Sequence, residues 1–251
     1  MPFDGVPQGE TIMIRKRIRF RAPYPCYEAQ DQVHDAFVHA FILLGATPEQ
    51  VIGADAEDWN FGIDCIEGPA RHIRRIRSVI VSSASPALAR LIVRMQPGHI
   101  QRRPENGRVI DFSAGLPSFE PAPLVPGCEA LPVVMISPLV ISRQGGDGSA
   151  IRQHQSLAGV DLSAALSSSL SRAVKREVQL EVMPDDFYIA ARNGDVARSY
   201  PVKHIDGKAS CVVGFKIPLV LLGSPEDLAA AWYAGLGAKR RMGFGCIGAV
   251  R

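Results

Sequence analysis

Apolar and polar side chains alternate over residues 11–21. Ile12, Ile14, Ile18 and Phe20 take one side, with Lys16 the exception, and Met13, Arg15, Arg17, Arg19 and Arg21 take the other. A period of two predicts a strand with one buried face and one strongly basic face. The pattern then changes. After a turn at Tyr24-Pro25-Cys26-Tyr27, the residues Val33, Phe37, Ala40, Phe41 and Leu44 recur at helical spacing. They predict a helix over 28–44 that stops at Gly45 and Pro48. Residues 48–70 are acidic and support at most a short strand at 61–66. A strand follows over 74–83, Ser85-Pro86 opens a helix to about residue 95, and 98–112 fits a hairpin turning at Glu105-Asn106-Gly107.

Strand, helix, two strands, helix, strand is the ferredoxin-like order. A Pro-rich stretch, 117–131, reads as a linker between domains at 1–116 and 132–251, and the second half repeats the order. A strand is expected over 131–142, then a glycine-rich loop at 145–148 and a helix over 161–178 carrying Leu162, Leu166, Leu170, Val174 and Val178 on one stripe. Strands near 187–191 and 210–222, a helix over 225–233 and a short apolar run at 246–250 complete the chain. The expected fold class is therefore α+β: two tandem ferredoxin-like (RRM-like) domains, with a helical segment in the second.

Composition narrows the function. The chain has 251 residues, 47% hydrophobic and 21% charged, as ordinary globular proteins do. No apolar run approaches the roughly 20 residues of a membrane span, and no signal peptide is evident, so a cytoplasmic protein without a membrane partner is expected. Five scattered cysteines contain no Cys-x-x-Cys pair, and no metal or cofactor is called for. Net charge is only +3, but nine acids and no Lys or Arg lie between Ala22 and Ala70, whereas nine arginines and one acid lie between Arg71 and Arg108. Such segregation gives a basic side that attracts a polyanion. The 22 arginines against 6 lysines suit forked phosphate contacts, although genomic base composition produces the same bias.

One stretch stands apart. Residues 235–245, Gly-Leu-Gly-Ala-Lys-Arg-Arg-Met-Gly-Phe-Gly, set Lys239, Arg240 and Arg241 among four glycines between a helix and a last strand. Glycines allow positive φ and close approach, so the loop offers N–H groups and cations to an anion. It lacks the Gly-Lys-Ser/Thr of a nucleotide-binding loop and follows a helix, so it is no dinucleotide fingerprint. The loop resembles the glycine-rich loop of the CRISPR repeat-processing endoribonucleases of the RAMP superfamily. Gly214-Phe215-Lys216-Ile217-Pro218-Leu219-Val220, Gly223-Ser224-Pro225 and Ser137-Pro138-Leu139-Val140 resemble other parts of that family's pattern, and the diverged type IV version is the specific likeness.

That resemblance implies metal-independent cleavage of a CRISPR precursor RNA within its repeat, with the product crRNA retained beside other subunits of a CRISPR effector complex. A non-catalytic guide-RNA-binding subunit is the alternative. For catalysis the candidates are His39 or His34 for proton transfer, a family role for a histidine on the first helix, and Arg21, Arg240 and Arg241 for charge stabilisation. No Tyr–His–Lys set aligns, because lysine is absent from 22–70. Candidate RNA contacts are Arg15, Arg17 and Arg19 on the basic strand, Arg74, Arg75, Arg102 and Arg103, and Arg172, Lys175 and Arg176, which share one helix side. The loop adds Gly235, Gly237, Lys239, Gly243 and Gly245. Each basic group has a plainer reading as a solvated face, and each glycine as a turn.

Overall fold

The computed structural model describes residues 13–22, 25–53, 55–67, 74–104, 108–143 and 152–250. Its first half builds β1 Ile14–Arg19, β2 Cys26–Tyr27, α1 Gln30–Leu43, α2 Pro48–Val51, β3 Asn60–Glu67, β4 Arg74–Ser83, α3 Pro86–Arg94, β5 Gln101–Arg102, β6 Ile110–Asp111 and β7 Leu116–Phe119. The strands β3-β4-β1-β7 lie in that order, all antiparallel, with β2 added at one end of β4. With α1 and α3 as the crossovers this is the ferredoxin-like arrangement.

The closing strand is not where the sequence placed it. The hairpin over 98–112 pairs only Gln101 with Asp111 and Arg102 with Ile110, and it packs on α1 instead of joining the sheet. Its turn at 105–107 lies outside the described residues. The sheet is closed by β7, which runs from the end of the expected first domain into the expected linker. Pro117 is tolerated there because β7 pairs only with β1, and an edge strand can spare a donor.

The apolar stripe of α1 is the centre of this half. Val33, Phe37, Ala40 and Phe41 are wholly buried against Trp59 and Phe61 of the β3 segment, with ring centroids 5.1 Å apart for Phe41 and Trp59 and 5.3 Å for Phe37 and Phe61. Each such aromatic burial contributes roughly 2–3 kcal/mol. The one-turn α2 has no counterpart among the expected elements. Pro48 opens it, and Gln50 Oε1 accepts from the Thr47 N–H at 2.9 Å.

The second half builds β8 Ala130–Met135, β9 Ser142–Arg143, β10 Arg152–Gln153, α4 Leu162–Val174, β11 Leu180–Pro184, α5 Asp186–Ala190, β12 Ala197–Ile205, β13 Lys208–Phe215, β14 Leu219–Gly223, α6 Pro225–Ala234 and β15 Ile247–Ala249. The order β11-β14-β8-β15 repeats the first sheet, and α4 and α6 cover it through Leu162, Leu166, Leu170, Leu228 and Trp232.

Three expectations fail here. Residues 187–190 are helical, not extended, with Ala191 as the C-cap, because Pro184 ends β11 and the Asp185 carboxylate caps α5 by accepting from the Tyr188 N–H. The run 210–222 is two strands in different sheets, divided at Pro218. The strand over 131–142 stops at Met135, where Ser137-Pro138 turns the chain away. The loop at 145–148 lies outside the described residues. Among those residues, no helix is long and apolar enough to cross a membrane.

Candidate nucleic-acid interface

The glycine-rich loop is set up by the helix before it. Ser224 Oγ accepts from the Asp227 N–H and Pro225 takes the first turn of α6, which ends where Gly235 turns to φ 76°. The loop then closes a neck and docks. The N–H of Leu236 donates to Gly245 O, that of Ala238 to Val140 O and that of Gly245 to Pro138 O, each at 2.8 Å. A 3-10 turn over Arg240–Met242 forms the tip.

Gly235, Gly237, Gly243 and Gly245 are all buried. A side chain on Gly243 would run into the Phe61 ring, and one on Gly235 into Asn60. Gly235 and Gly243 thus let the loop pack against β3, while Gly237 lies against Val140 and Gly245 against Leu236. Three N–H groups that the sequence suggested for an anion are spent inside the protein.

The cations divide likewise. Arg240, 11% exposed, pairs its Nη2 with Asp58 Oδ1 at 2.9 Å and donates through Nη1 to Gly237 O at 2.6 Å and Ser169 Oγ at 3.0 Å. It is a strut of the loop. Lys239 is exposed, and Arg241 is half-buried with one Nη1 that has no hydrogen-bond partner.

Beside the loop runs α4. Asp161 caps it by accepting from the Ala164 N–H, its leucines face the core, its last turn carries Arg172, and Lys175 follows as its C-cap. A cleft of about 610 Å³ lies between the two, lined by Asp58, Ser169, Arg172, Lys175, Lys239, Arg240 and Arg241. Glu57 stands 3.8 Å from the Lys175 ammonium. Five cations against those two carboxylates leave the cleft basic. Arg176, expected on the same side, turns away to Asp227 and Glu226 at the start of α6. Lys175 adopts φ 55° as the helix ends, which is why the helical spacing fails one residue later.

The basic strand is largely internal. Lys16, the exception on the apolar side, donates to Val93 O and Met95 O at 2.8 Å and so caps the end of α3; burial lowers its pKa to about 8. On the other face Arg15 is 1% exposed. It donates to Glu120 Oε2 at 3.1 Å, Trp232 O at 3.2 Å and Ile247 O at 2.6 Å, and its guanidinium lies 4.0 Å from the centre of the Trp232 ring. Arg17 also bonds Glu120, and Arg19 approaches it at 3.6 Å. Burial opposes ionisation of Glu120, but the hydrogen bond from Arg17 and the charges of Arg15 and Arg17 hold it below the usual carboxylate range.

An arginine row that repels in sequence is thus neutralised by an acid about 100 residues away. Arg15 is a domain contact and cannot touch RNA; Arg19 remains half-exposed. The strand ends at Arg19, about 13 Å from Arg15. Arg21 follows that far end of the strand, whereas the loop adjoins the Arg15 end.

Arg74 is buried, lying 5.9 Å from the Tyr27 ring and 6.0 Å from that of Tyr200, while Arg75 is exposed. Arg102 and Arg103 line a hollow of about 450 Å³ with His39 and Asp35. His34 stacks on Trp59 at 5.7 Å, with its Nδ1 3.1 Å from Asp35 Oδ1. It lies one turn from Gln30, on the α1 face that meets the loop at Gly243. Asp35 touches both histidines' settings, lining the His39 hollow and lying against His34 Nδ1.

The acidic first half answers the arginines in space: Glu28 pairs with Arg108, Asp35 with Arg102, Asp64 with Arg77 and Asp58 with Arg240. Sequence reading missed Asp58, Asn60 and Glu120. Asp58 alone has a signal, an acid-rich stretch that needs cations from elsewhere; Asn60 and Glu120 have none.

Residues 125–249 match the family model described as CRISPR associated protein Cas6, C-terminal. No curated protein matches the chain. Among solved structures, one described as an RAMP protein binding different RNA substrates superposes with a TM-score of 0.66 at 14% identity, over 95% of this chain and 100% of that one. A Cas6-related protein from Pyrococcus furiosus gives 0.64 at 12% identity over 95% and 99%, and a Cas6 product complex gives 0.57 at 15% over 95% and 99%. At these identities the likeness is one of fold, and it spans both halves. With the Cas6 C-terminal domain over residues 125–249, the second half of the chain belongs to the CRISPR-associated Cas6 family, and the paired ferredoxin-like fold over the whole is the one that the RAMP and Cas6-related structures share.

Proposed function

We propose that this protein is a metal-independent endoribonuclease that cuts CRISPR precursor RNA within its repeat and keeps the mature crRNA. The observation that supports it most is the basic cleft, where Arg172 and Lys175 of α4 meet Lys239 and Arg241 of the loop around a space open to a phosphate chain. In the reaction, the 2′-oxygen upstream of the cut attacks the adjacent phosphorus and the bond to the 5′-oxygen breaks. The 2′-hydroxyl loses its proton and the leaving oxygen gains one, giving a cyclic phosphate and a 5′-hydroxyl. Lys239 and Arg241 would stabilise the extra charge on the phosphorane, and RNA held along α4 would set the in-line geometry. Proton transfer falls to His34, which is nearer the loop than His39 and is braced by Trp59 and Asp35. The hollow at His39, with Arg102 and Arg103, would hold a further stretch of RNA backbone.

A second reading, a guide-RNA-binding subunit without catalysis, draws on one observation. Arg240 and three loop N–H groups are already engaged within the protein, which leaves few donors for a transition state. One assay separates the two. Repeat RNA mixed with pure protein in excess EDTA should be cut at a single site, leaving a 2′,3′-cyclic phosphate and a 5′-hydroxyl. A 3′-hydroxyl with a 5′-phosphate, or cutting only with added Mg²⁺, contradicts the mechanism. Tight binding of every repeat RNA without cutting supports the second reading.

A further inference from the structure

Arg15 of β1 donates to Trp232 O on one side of the glycine-rich loop and to Ile247 O on the other. Asn60 of β3 repeats the arrangement one step closer. Its Nδ2 lies 3.3 Å from Ala234 O and 3.4 Å from Phe244 O, the residues just before the loop's first and last glycines, Gly235 and Gly245. Between them the register is direct, since Arg15 and Asn60 both pair with Ser82 of β4. Two residues before Asn60, Asp58 holds the loop tip through Arg240. The loop belongs to the second half, yet its neck and its tip are fastened by side chains of the first.

We propose that Asp58 and Asn60, backed by Arg15, are positioning residues: a latch by which the first ferredoxin-like unit sets the conformation of the other unit's RNA-facing loop. The role in RNA cleavage rests on the function proposed above; the latch itself does not. The geometry suits the task. Arg15 spans the two sides of the neck with one planar, forked guanidinium, and Asn60 does so through its amide Nδ2, so short rigid groups set the neck's width. The Asp58–Arg240 pair is mostly buried, so solvent screens it weakly and its loss leaves an arginine inside without its counter-ion. The tip cations Lys239 and Arg241 flank Arg240, and they move if it does. The loop therefore takes its working shape only while the two units are docked, and anything that shifts one unit against the other shifts the loop cations relative to α1.

The test uses the full chain with Asp58→Asn and Asn60→Ala, and the milder Asn60→Ser in case the alanine variant does not fold. Amide hydrogen exchange of Leu236, Ala238 and Gly245 should accelerate about tenfold or more in each variant, with exchange in α1 and α4 unchanged, because one charged or forked group is removed locally. Asp58→Glu, which keeps the charge, should restore most of the protection. With repeat RNA, single-turnover cutting by the Asn60 variants at saturating protein should slow about tenfold while binding weakens less than about threefold, since Asn60 lies off the cleft that Asp58 lines and acts on the loop's geometry. Unchanged exchange at the loop would overturn the latch. So would acceleration spread evenly over both units, which would make these residues ordinary interface contacts. If the wild type cuts no repeat RNA, the exchange data still decide the latch, and the endonuclease reading fails separately.

Discussion

Arg15 shows what single residues conceal. The alternation of residues 11–21 places Ile18 inside and gives the strand its two faces correctly. It cannot say whether an arginine row faces RNA or a carboxylate folded in from position 120. Lys16 carried the opposite clue, a cation on the apolar side, and its explanation is also distant: the open carbonyls at the end of α3. Glu120 makes this account testable. Its pKa is held below the ordinary 4.5, so its pairing adds stability above that pH and the gain is lost as pH falls through its lower folded value. Glu120→Gln should cost roughly 3 kcal/mol at neutral pH, because Arg15 stays buried without its counter-ion. The gap from the wild type should close in acid unfolding below about pH 4.5. A gap that is the same at pH 7 and pH 3 would mean that Glu120 contributes shape and not charge.

Elements were legible where a local rule and the tertiary demand agree. The stripe on α1, the β-branched run of β4 and the Ser-Pro starts of α3 and α6 all appear where periodicity and capping put them. Elements were lost where two local rules compete. Phe187-Tyr188-Ile189 favours a strand, but Pro184 and the Asp185 cap decide for a helix. The β12 strand, Ala-Arg-Ser-Tyr-Pro-Val-Lys-His-Ile, has no clean alternation and contains Pro201, which sits at its irregular register. The Asp206-Gly207 turn was the available signal for that hairpin, with φ of 49° and 74°.

At the end of α4 the same competition separates three cations that spacing had joined. Arg172→Ala and Lys175→Ala should each lower the slope of log K against log salt for repeat RNA by roughly 0.7–0.9, one phosphate contact apiece. Arg176→Ala should leave the slope unchanged and lower thermal stability, because its partners are Asp227 and Glu226. A slope that falls for Arg176 but not for Arg172 would place the RNA on the α6 side.

For the whole molecule, the two ferredoxin-like units and the glycine-rich loop could be read from the chain, but the site between them could not. Charge segregation along the sequence suggested one basic side. In space, the acids of residues 28–64 pair with Arg77, Arg102, Arg108 and Arg240, while the cleft between α4 and the loop tip keeps more cations than carboxylates. Pairings between residues 58 and 240, or 15 and 247, leave no local trace, because each partner is chosen by docking of the units. The central claim is that RNA lying in this cleft supplies its own nucleophile. The most direct measurement is cutting of a repeat RNA that carries a single 2′-deoxy nucleotide immediately upstream of the cleavage site, beside the all-ribose RNA. The account predicts that cutting is abolished while the dissociation constant stays nearly the same, because only the attacking oxygen is gone. Cutting of the deoxy RNA at the same position would contradict it.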